Sequence, residues 1–566
     1  MLNLRKLAAF VSRLARDKAG NTLAIMAAAM IPLCAIIGSG VDMTRAYVAQ
    51  NRFRQACDAG ALAGRRLLAG TTVSPAVRDE ATKYFEFNFP RGQFQSASYT
   101  LAMTVPTLGT LRIQSETTVP TTIMKMFGFE TLPITASCSA TQDFVNTDIV
   151  LVFDLSGSMN CAPGVSGNCG NVSQSGSKLQ ALKSAAKSLY TTLEPAQVQL
   201  AENNLRLRYG FVNYSSNVNV GQAVYQKNSS YFLNSWIYQS RSPVYTTQPR
   251  TESTTSRAAC ESQGGVYSTS WFGLIKTCTF QDQVLSGYTY GPVRHDLTTY
   301  LAGGTPYLAS IDRNSTRWAG CIEERDTDPV TINGGSATSA PASAYDLDIN
   351  LIPYNDATRW RPSWPDTEFR PGASTSVINN DFYCPTASRR LQNYYNNKAS
   401  FDNYVDGLTA IGSTYHDIGM IWGARFISPK GIFGATPEET NDLTTPDNPV
   451  KLRGFGVKRY IIFMTDGDMS PSDTYSTYGI ESLDKRVTNG ASNQMNRHLQ
   501  RFRMACNAAK ATGTEIWVIA FATTLTADMQ NCASKPEQAS GLSTNAALIA
   551  KFQEIGSKIG SLRLSQ

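Results

Sequence analysis

Histidine is almost absent from this chain of 566 residues, which contains only His295, His416 and His498, and their positions share no metal-ligand spacing. There is also no Gly-x-Ser-x-Gly motif and no glycine-rich phosphate loop of the Walker type. One Ser-x-x-Lys match, Ser184 to Lys187, lies on a leucine-striped helical segment without the companion motifs of serine hydrolases. These absences argue against zinc chemistry and catalysis, so we expect the protein not to be an enzyme.

Charge is scarce as well, because charged residues make up 17% of the chain and the formal net charge is +7. Five basic residues and one acidic residue within positions 1–18 account for +4 of it. The remaining chain carries only +3 and has no basic block, which excludes nucleic acid as an expected partner. The length indicates two or three folded units.

Residues 19–41 contain no charged residue and are mostly apolar. A bilayer core requires about 20 such residues. The basic residues of 1–18 precede this segment, so the amino terminus is expected to remain cytoplasmic while the rest of the chain crosses the membrane. A cleaved secretory signal is the alternative, although its apolar region usually spans about 7–15 residues. We predict a single uncleaved transmembrane anchor at 19–41.

A short stretch near position 150 carries the clearest site chemistry. The five apolar residues from Ile149 to Phe153 predict a strand buried on both faces. Asp154, Ser156 and Ser158 follow at alternate positions, and such oxygen donors suit Mg²⁺ or Ca²⁺ better than zinc or copper. A simple polar turn after a strand is the alternative interpretation.

A second buried strand, predicted at Tyr460–Met464, leads directly to Asp466. Between the two strands, Thr414 precedes an apolar helical pattern. In open α/β sheets, sites form beyond the carboxyl ends of the strands. We therefore expect the carboxylates of Asp154 and Asp466 to meet at one edge of the sheet.

These segments together resemble a von Willebrand factor A domain with its metal-ion-dependent adhesion site. The resemblance implies that the metal ligands are Asp154, Ser156, Ser158, Thr414 and Asp466. It also implies Mg²⁺, or another divalent cation such as Mn²⁺ or Ca²⁺, and a partner protein whose carboxylate completes the metal shell. His416, two residues beyond Thr414, is interpreted as a helix-surface residue outside the site.

Residues 144–566 alternate between strand and helix patterns, which predicts an α/β fold with a doubly wound, mainly parallel sheet of the von Willebrand factor A type. The alternation is interrupted at about 225–397, a stretch rich in Ser, Thr, Tyr, Asn and Pro. Several tryptophans there indicate some packed core. We interpret 225–397 as a large, irregular, β-rich insertion within the domain.

Residues 42–143 predict a small α+β membrane-proximal unit, with helices at 42–68 and 75–88 followed by three strands. Residues 17–20, 41–45 and 56–64, together with the anchor, resemble the amino-terminal region of TadG-like proteins of bacterial tight-adherence (Flp) pilus systems. The resemblance implies a TadE/TadG-like domain at 42–143 in a protein of the bacterial inner membrane, with the bulk periplasmic or external. A generic anchor followed by an alanine-rich stalk helix is the alternative.

Eleven cysteines are present, and Cys34 lies in the predicted anchor. The other ten form an even set, which fits an oxidising compartment such as the bacterial periplasm. Sequence order suggests the pairs Cys57–Cys138, Cys161–Cys169, Cys260–Cys278, Cys321–Cys384 and Cys506–Cys532. Order alone does not fix connectivity, and scattered buried thiols are the alternative.

The combined interpretation is a membrane-anchored, metal-dependent protein-binding factor in Flp pilus assembly or anchoring. The expected partners are pilus or secretion-system components. A metal-assisted envelope hydrolase and a surface adhesin are the alternatives.

Overall fold

The computed structural model describes residues 18–68, 72–106, 109–142, 145–165, 169–332, 339–375, 382–560 and 564–565. Apart from Lys18, the predicted basic segment 1–18 lies outside the described residues. The chain divides into two compact units. The first comprises 1–144, 199–204 and 561–566, and the second comprises 145–198 and 205–560.

The first unit contains two helices, α1 (Lys18–Leu67) and α2 (Pro75–Asn88), and a small antiparallel sheet. Its strands are β1 (Ala102–Thr104), β2 (Thr110–Pro120) and β3 (Thr131–Gln142), with Leu564–Ser565 paired to β3. Helix α2 begins where the Ser74 hydroxyl accepts a hydrogen bond from the Val77 amide and Pro75 occupies the first turn.

Helix α1 is continuous from the predicted anchor into the core of this unit. Within the described part of the chain it is the one helix long and apolar enough to cross a membrane, from Ile25 onward. Further along, Phe53 packs edge-on against Phe85, Phe89 and Tyr99 at centroid distances of 5.0–5.5 Å. Residues 25–37 of α1 are apolar and mostly exposed, whereas Ala46, Ala49, Phe53, Ala56, Cys57, Ala61 and Ala63 of the same helix are buried in the core of this unit.

The longer strands of the second unit lie in two sheets. They are β4 (Asn146–Asp154), β5 (Leu207–Tyr214), β6 (Ser235–Ser253), β7 (Val266–Ser270), β8 (Ile275–Asp296), β9 (Arg389–Asn393), β10 (Phe455–Thr465), β11 (Glu515–Phe521) and β12 (Ala539–Leu542). Short two-residue strands lie at 307–308, 313–314, 322–323, 361–362, 439–440, 451–452, 475–476 and 479–480.

The helices of the second unit are α3 (Lys178–Glu202), α4 (Gly221–Lys227), α5 (Arg257–Ser262), α6 (Thr298–Leu301), α7 (Lys398–Asp406), α8 (His416–Ile427), α9 (Gln494–Ala511), α10 (Ala527–Cys532) and α11 (Asn545–Gly560), with a four-residue turn of helix at Glu481–Asp484. The last residues of α3, from Gln199, are grouped with the first unit.

The central sheet is mixed, with strand order β9-β5-β4-β10-β11-β12. Strands β5, β4, β10, β11 and β12 run parallel to one another in this order. Strand β9 lies at the edge and pairs antiparallel with β5. Phe153 of β4 is level with Met464 of β10, so the two strands end at the same height. This register confirms a mixed α/β sheet whose strand ends carry the predicted aspartates. The doubly wound arrangement stays a prediction.

Helix α8 is buried along its whole length against β4, β5 and β10. Two glycines permit this close approach. A Cβ added at Gly419 would lie 2.4 Å from the Tyr214 ring, and one at Gly423 would lie 2.6 Å from Val152. Side chains at either position would push α8 away from the sheet. The glycines therefore set the distance between the sheet and α8, the helix that follows Thr414.

Within the region predicted as an insertion, β6 and β8 form a long antiparallel pair. Strand β7 adds a third strand by pairing antiparallel with β8. Trp360 and Trp364 are buried in the core of the unit. Trp271 and Phe272 lie in the turn between β7 and β8 and are 72% and 101% exposed. The region is thus more regular than predicted, because β6 pairs with β8 from Ser235 to Ser253 with one register shift between Val244 and Tyr245.

All five disulfides that sequence order suggested are present. Cys57–Cys138 joins α1 to β3 in the first unit, and the other four lie in the second unit. Cys34 is free and exposed on α1.

Candidate metal site

Asp154 is the last residue of β4 and is completely buried. Its Oδ1 accepts a hydrogen bond from the Ser156 amide at 2.9 Å, and its Oδ2 accepts one from the Thr465 hydroxyl at 2.7 Å. Thr465 ends the neighbouring strand β10. The parallel register therefore fixes this carboxylate between the ends of two adjacent strands.

The two predicted serines connect Asp154 to Asp466. Ser156 Oγ and Ser158 Oγ lie 3.0 Å apart, and both are within hydrogen-bond distance of Asp466 Oδ1, at 3.4 Å and 2.9 Å respectively. Asp466 is 3% exposed. Four of the five predicted residues thus form one buried cluster of oxygen atoms.

Thr414 lies at the same edge of the sheet. A Cβ built on Gly467 would be 3.9 Å from both Thr414 Oγ1 and Ser158 Oγ, so these two hydroxyls flank one glycine. The Thr414 carbonyl accepts a hydrogen bond from the Ser470 amide at 2.8 Å. The structure therefore brings all five predicted side chains to one place, from three separate segments of the chain.

Gly412 holds the Thr414 segment against the serine loop. Its carbonyl accepts a hydrogen bond from the Gly157 amide at 2.8 Å. Its φ is +90°, and an added Cβ would lie 2.9 Å from the Tyr383 Cβ and 3.1 Å from Ser215 Oγ. Both the backbone conformation and the lack of space require glycine here.

Lys178, at the start of α3, is a site residue that the sequence did not reveal. Its Nζ lies 2.7 Å from Asp466 Oδ2, and both side chains are almost fully buried. The Lys178 amide donates to the Cys161 carbonyl at 2.8 Å, which ties the lysine to the disulfide loop. Nothing in its local sequence marks it, because Lys178 lies 288 positions from Asp466.

His416 is also part of the site's surroundings, and its interpretation as a helix-surface residue is wrong. It is 2% exposed, and its Nε2 lies 3.0 Å from Thr465 Oγ1. With the Thr465 hydroxyl donating to Asp154, the tautomer of His416 that carries the Nε2 proton can donate to the same hydroxyl oxygen. Burial lowers the pKa of His416 to about 4, so the ring is neutral and orients the hydroxyl that holds Asp154.

The two buried carboxylates of this cluster have little positive charge beside them. Burial raises the pKa of Asp154 to about 7, and the facing Asp466 carboxylate adds to the shift. Burial also raises the pKa of Asp466, against the opposing effect of the Lys178 ammonium. Two buried carboxylates therefore face one ammonium group, and a further positive charge would be stabilised here.

The donor set fits a hard divalent cation, because carboxylate and hydroxyl oxygens are the ligands that Mg²⁺ and Ca²⁺ prefer. Among the residues that the structure describes, no group of three or more His, Cys, Asp or Glu side chains is arranged to hold a metal ion. A cation at this site would therefore depend on the Ser156, Ser158 and Thr414 hydroxyls in addition to the two carboxylates.

Comparison with protein families relates the amino-terminal part of the chain to a pilus-assembly family. The model of the Flp pilus-assembly TadE/G-like family matches residues 20–72. The matched segment covers most of α1, including the apolar part that could cross a membrane. A comparison with curated protein sequences finds no match.

Comparison with solved structures gives distant likenesses. The pilus adhesin SpaC of Lactobacillus rhamnosus GG is 12% identical with a TM-score of 0.31, and the match covers 82% of this chain and 34% of SpaC. The PilB minor pilin of Streptococcus sanguinis is 10% identical with a TM-score of 0.29, over 82% of this chain and 79% of PilB. This chain therefore spans about a third of the length of SpaC.

The von Willebrand factor domain of the type V pili tip protein Mfa5 from Porphyromonas gingivalis is 10% identical with a TM-score of 0.28. That match covers 75% of this chain and 98% of the Mfa5 domain.

Proposed function

We propose that this protein is a membrane-anchored, cation-dependent protein-binding factor that acts in the assembly or anchoring of a Flp-type pilus. The observation that carries the binding role is the convergence of Asp154, Ser156, Ser158, Thr414 and Asp466 at the carboxyl ends of β4 and β10. The pilus role is supported by the family match over residues 20–72.

In this proposal the five side chains hold a divalent cation, with Mg²⁺ as the first candidate and Mn²⁺ or Ca²⁺ as alternatives. The bound ion would supply positive charge that accepts a carboxylate from a partner protein. Thr465 and His416 orient Asp154, and the disulfide loop positions Lys178 beside Asp466.

The proposed topology follows from α1. Its apolar segment crosses the inner membrane once, residues 1–18 stay in the cytoplasm, and the second unit lies in the periplasm or beyond. Five disulfides outside the apolar segment support an oxidising compartment.

Affinity capture from crosslinked bacterial membranes tests the binding role. We expect the wild-type chain to recover envelope or pilus proteins that Asp154→Ala does not recover. Glu537→Gln, an exposed carboxylate change far along the chain, is the control and should behave as the wild type. Equal recovery by wild type and Asp154→Ala would contradict a cation-bridged contact, and turnover of an envelope substrate lost in Asp154→Ala would indicate a hydrolase instead.

A further inference from the structure

A second acidic cluster lines a cavity of about 200 Å³ beside the start of β6, and it belongs to none of the elements that form the metal site. Four carboxylates and two guanidinium groups line this cavity, namely Glu323, Asp326, Glu368, Asp484, Arg361 and Arg486. The pairing of these six charges decides what the cavity can bind.

Two of the carboxylates are compensated. Glu323 Oε2 lies 3.3 Å from Arg361 Nε and 3.2 Å from Arg486 Nη1. Asp326 Oδ1 lies 3.3 Å from Arg361 Nη1. The two arginines are therefore engaged by Glu323 and Asp326, and the remaining two carboxylates have no cation of their own.

Glu368 has a backbone hydrogen bond from Gln239 but no ion-pair partner among the described residues. Its side chain is 1% exposed, and its Oε2 is buried without a hydrogen-bond partner. Asp484 beside it accepts hydrogen bonds from Gln239 Nε2 at 3.1 Å and from the Ile480 amide at 2.8 Å. Within the described residues neither Glu368 nor Asp484 forms an ion pair, so the cavity has two acidic groups without a cation of their own.

The electrostatics agree with this geometry. Burial raises the pKa of Glu368 well above its usual value, and the neighbouring Asp484 carboxylate raises it further. Burial, followed by the Glu323 carboxylate, raises the pKa of Asp484 to about 6. Each group is destabilised as a carboxylate by burial and by its acidic neighbours, and a cation between them would relieve that cost.

The shape of the cavity favours an organic cation over a metal ion. No three carboxylates in the described part of the chain are close enough to share an ion. The wall includes Trp236 and Ile237, and Ile237 is 42% exposed. An apolar wall leading to one unpartnered oxygen suits an alkyl chain ending in a compact ammonium group, whereas a guanidinium group prefers a bidentate carboxylate.

We propose that this cavity binds an alkylammonium group, the chemistry of a lysine side chain, through Glu368 and Asp484. The ammonium donates to Glu368 Oε2 and Asp484, and its alkyl stem lies along the wall of the cavity at the start of β6. The site is separate from the proposed cation site, so either can fail without the other. It would give the protein a second point of contact, for a basic group on a partner.

The test is calorimetric titration of the full chain in detergent with the peptide acetyl-Gly-Lys-Gly-amide. The same peptide with an acetylated lysine is the matched ligand control, because it keeps the alkyl stem and loses the charge. Glu368→Gln and Asp484→Asn are the site variants, and Glu537→Gln is the control for removal of a carboxylate. Thermal unfolding of each variant shows whether it has folded.

We expect the lysine peptide to bind and the acetylated peptide not to bind. Glu368→Gln and Asp484→Asn should each weaken binding at least about tenfold, with Glu537→Gln unchanged. Tighter binding of 1,5-diaminopentane than of the peptide would identify a free amine as the source of the group. The proposal is overturned if the peptide does not bind, if the acetylated peptide binds equally, or if calcium binds instead and Glu368→Gln abolishes that binding.

Discussion

The two ends of β4 carry buried aspartates with opposite environments. At the start of the strand, Asp148 receives two hydrogen bonds of 2.7 Å from Arg208 Nε and Nη2. At the end, Asp154 receives one hydroxyl and one backbone hydrogen bond and faces Asp466. Both aspartates are at most 1% exposed, so burial alone does not separate them.

The pKa shifts show what separates them. Burial opposes ionisation at both positions, but the Arg208 guanidinium overcomes it and lowers the pKa of Asp148. At Asp154 no arginine intervenes, and the pKa rises to about 7. A compensated buried charge holds the fold together, whereas an under-compensated one is available to a ligand. Asp148 is thus structural, and Asp154 is the candidate ligand.

The largest expected effect is a difference in stability between variants of these two aspartates. Asp148→Asn leaves the buried Arg208 without its carboxylate and should destabilise the second unit by about 3–5 kcal/mol. Asp154→Asn removes a poorly compensated charge and should leave stability unchanged or higher in metal-free buffer. Thermal unfolding of the full chain, followed by near-UV circular dichroism, measures both. Equal losses of stability in the two variants would contradict the distinction between a structural Asp148 and a ligand-binding Asp154.

A smaller effect is expected at Gly412, which links the Thr414 segment to the serine loop. Gly412→Ala combines a strained backbone at φ +90° with a contact of 2.9 Å to Tyr383, so we expect a loss of about 2–3 kcal/mol and weaker Mg²⁺ binding. Gly454→Ala is the matched control, since its φ is +82° with open space around it. It should lose only about 1 kcal/mol from strain and bind Mg²⁺ normally.

Similar losses of stability and Mg²⁺ affinity in both glycine variants would show that crowding at Gly412 does not matter to the site. Unfolding curves and Mg²⁺ titrations of the two variants decide this.

The expected effect of Lys178 is measured as a change in Mg²⁺ affinity. Its ammonium, 2.7 Å from Asp466 Oδ2, opposes a second cation in the cluster. Lys178→Met should therefore tighten Mg²⁺ binding by about tenfold, a conservative figure for two charges a few ångströms apart. Lys183→Met, five residues further along α3 with its Nζ on the Asp406 carbonyl, is the control. Weaker Mg²⁺ binding in Lys178→Met would mean that the lysine supports the site.

Sequence patterns predicted the parts of the site that are local or that lie at strand ends. The apolar run before Asp154 and the one before Asp466 each predicted a buried strand, and parallel strands end at one edge. Lys178 and His416 could not be predicted in this way, because their roles depend on distances between segments far apart in the chain. Residue type alone favoured an exposed His416, and the tight packing of α8 through Gly419 and Gly423 overrode that preference.

The acidic cavity could not be predicted from sequence patterns either. Glu368 lies in the irregular part of the predicted insertion, and Asp484 lies in a four-residue helical turn more than a hundred positions later. No periodicity connects them. Only the folded chain shows that the arginines pair with Glu323 and Asp326 and leave the other two carboxylates alone.

Calorimetric titration of the detergent-solubilised full chain with Mg²⁺ tests the central claim most directly. We predict saturable binding at one site in the wild type, loss of that binding in Asp154→Asn, and its retention in the exposed control Glu537→Gln. Absence of any binding heat with Mg²⁺, Mn²⁺ and Ca²⁺ in the wild type, or identical binding in Asp154→Asn, would contradict the account.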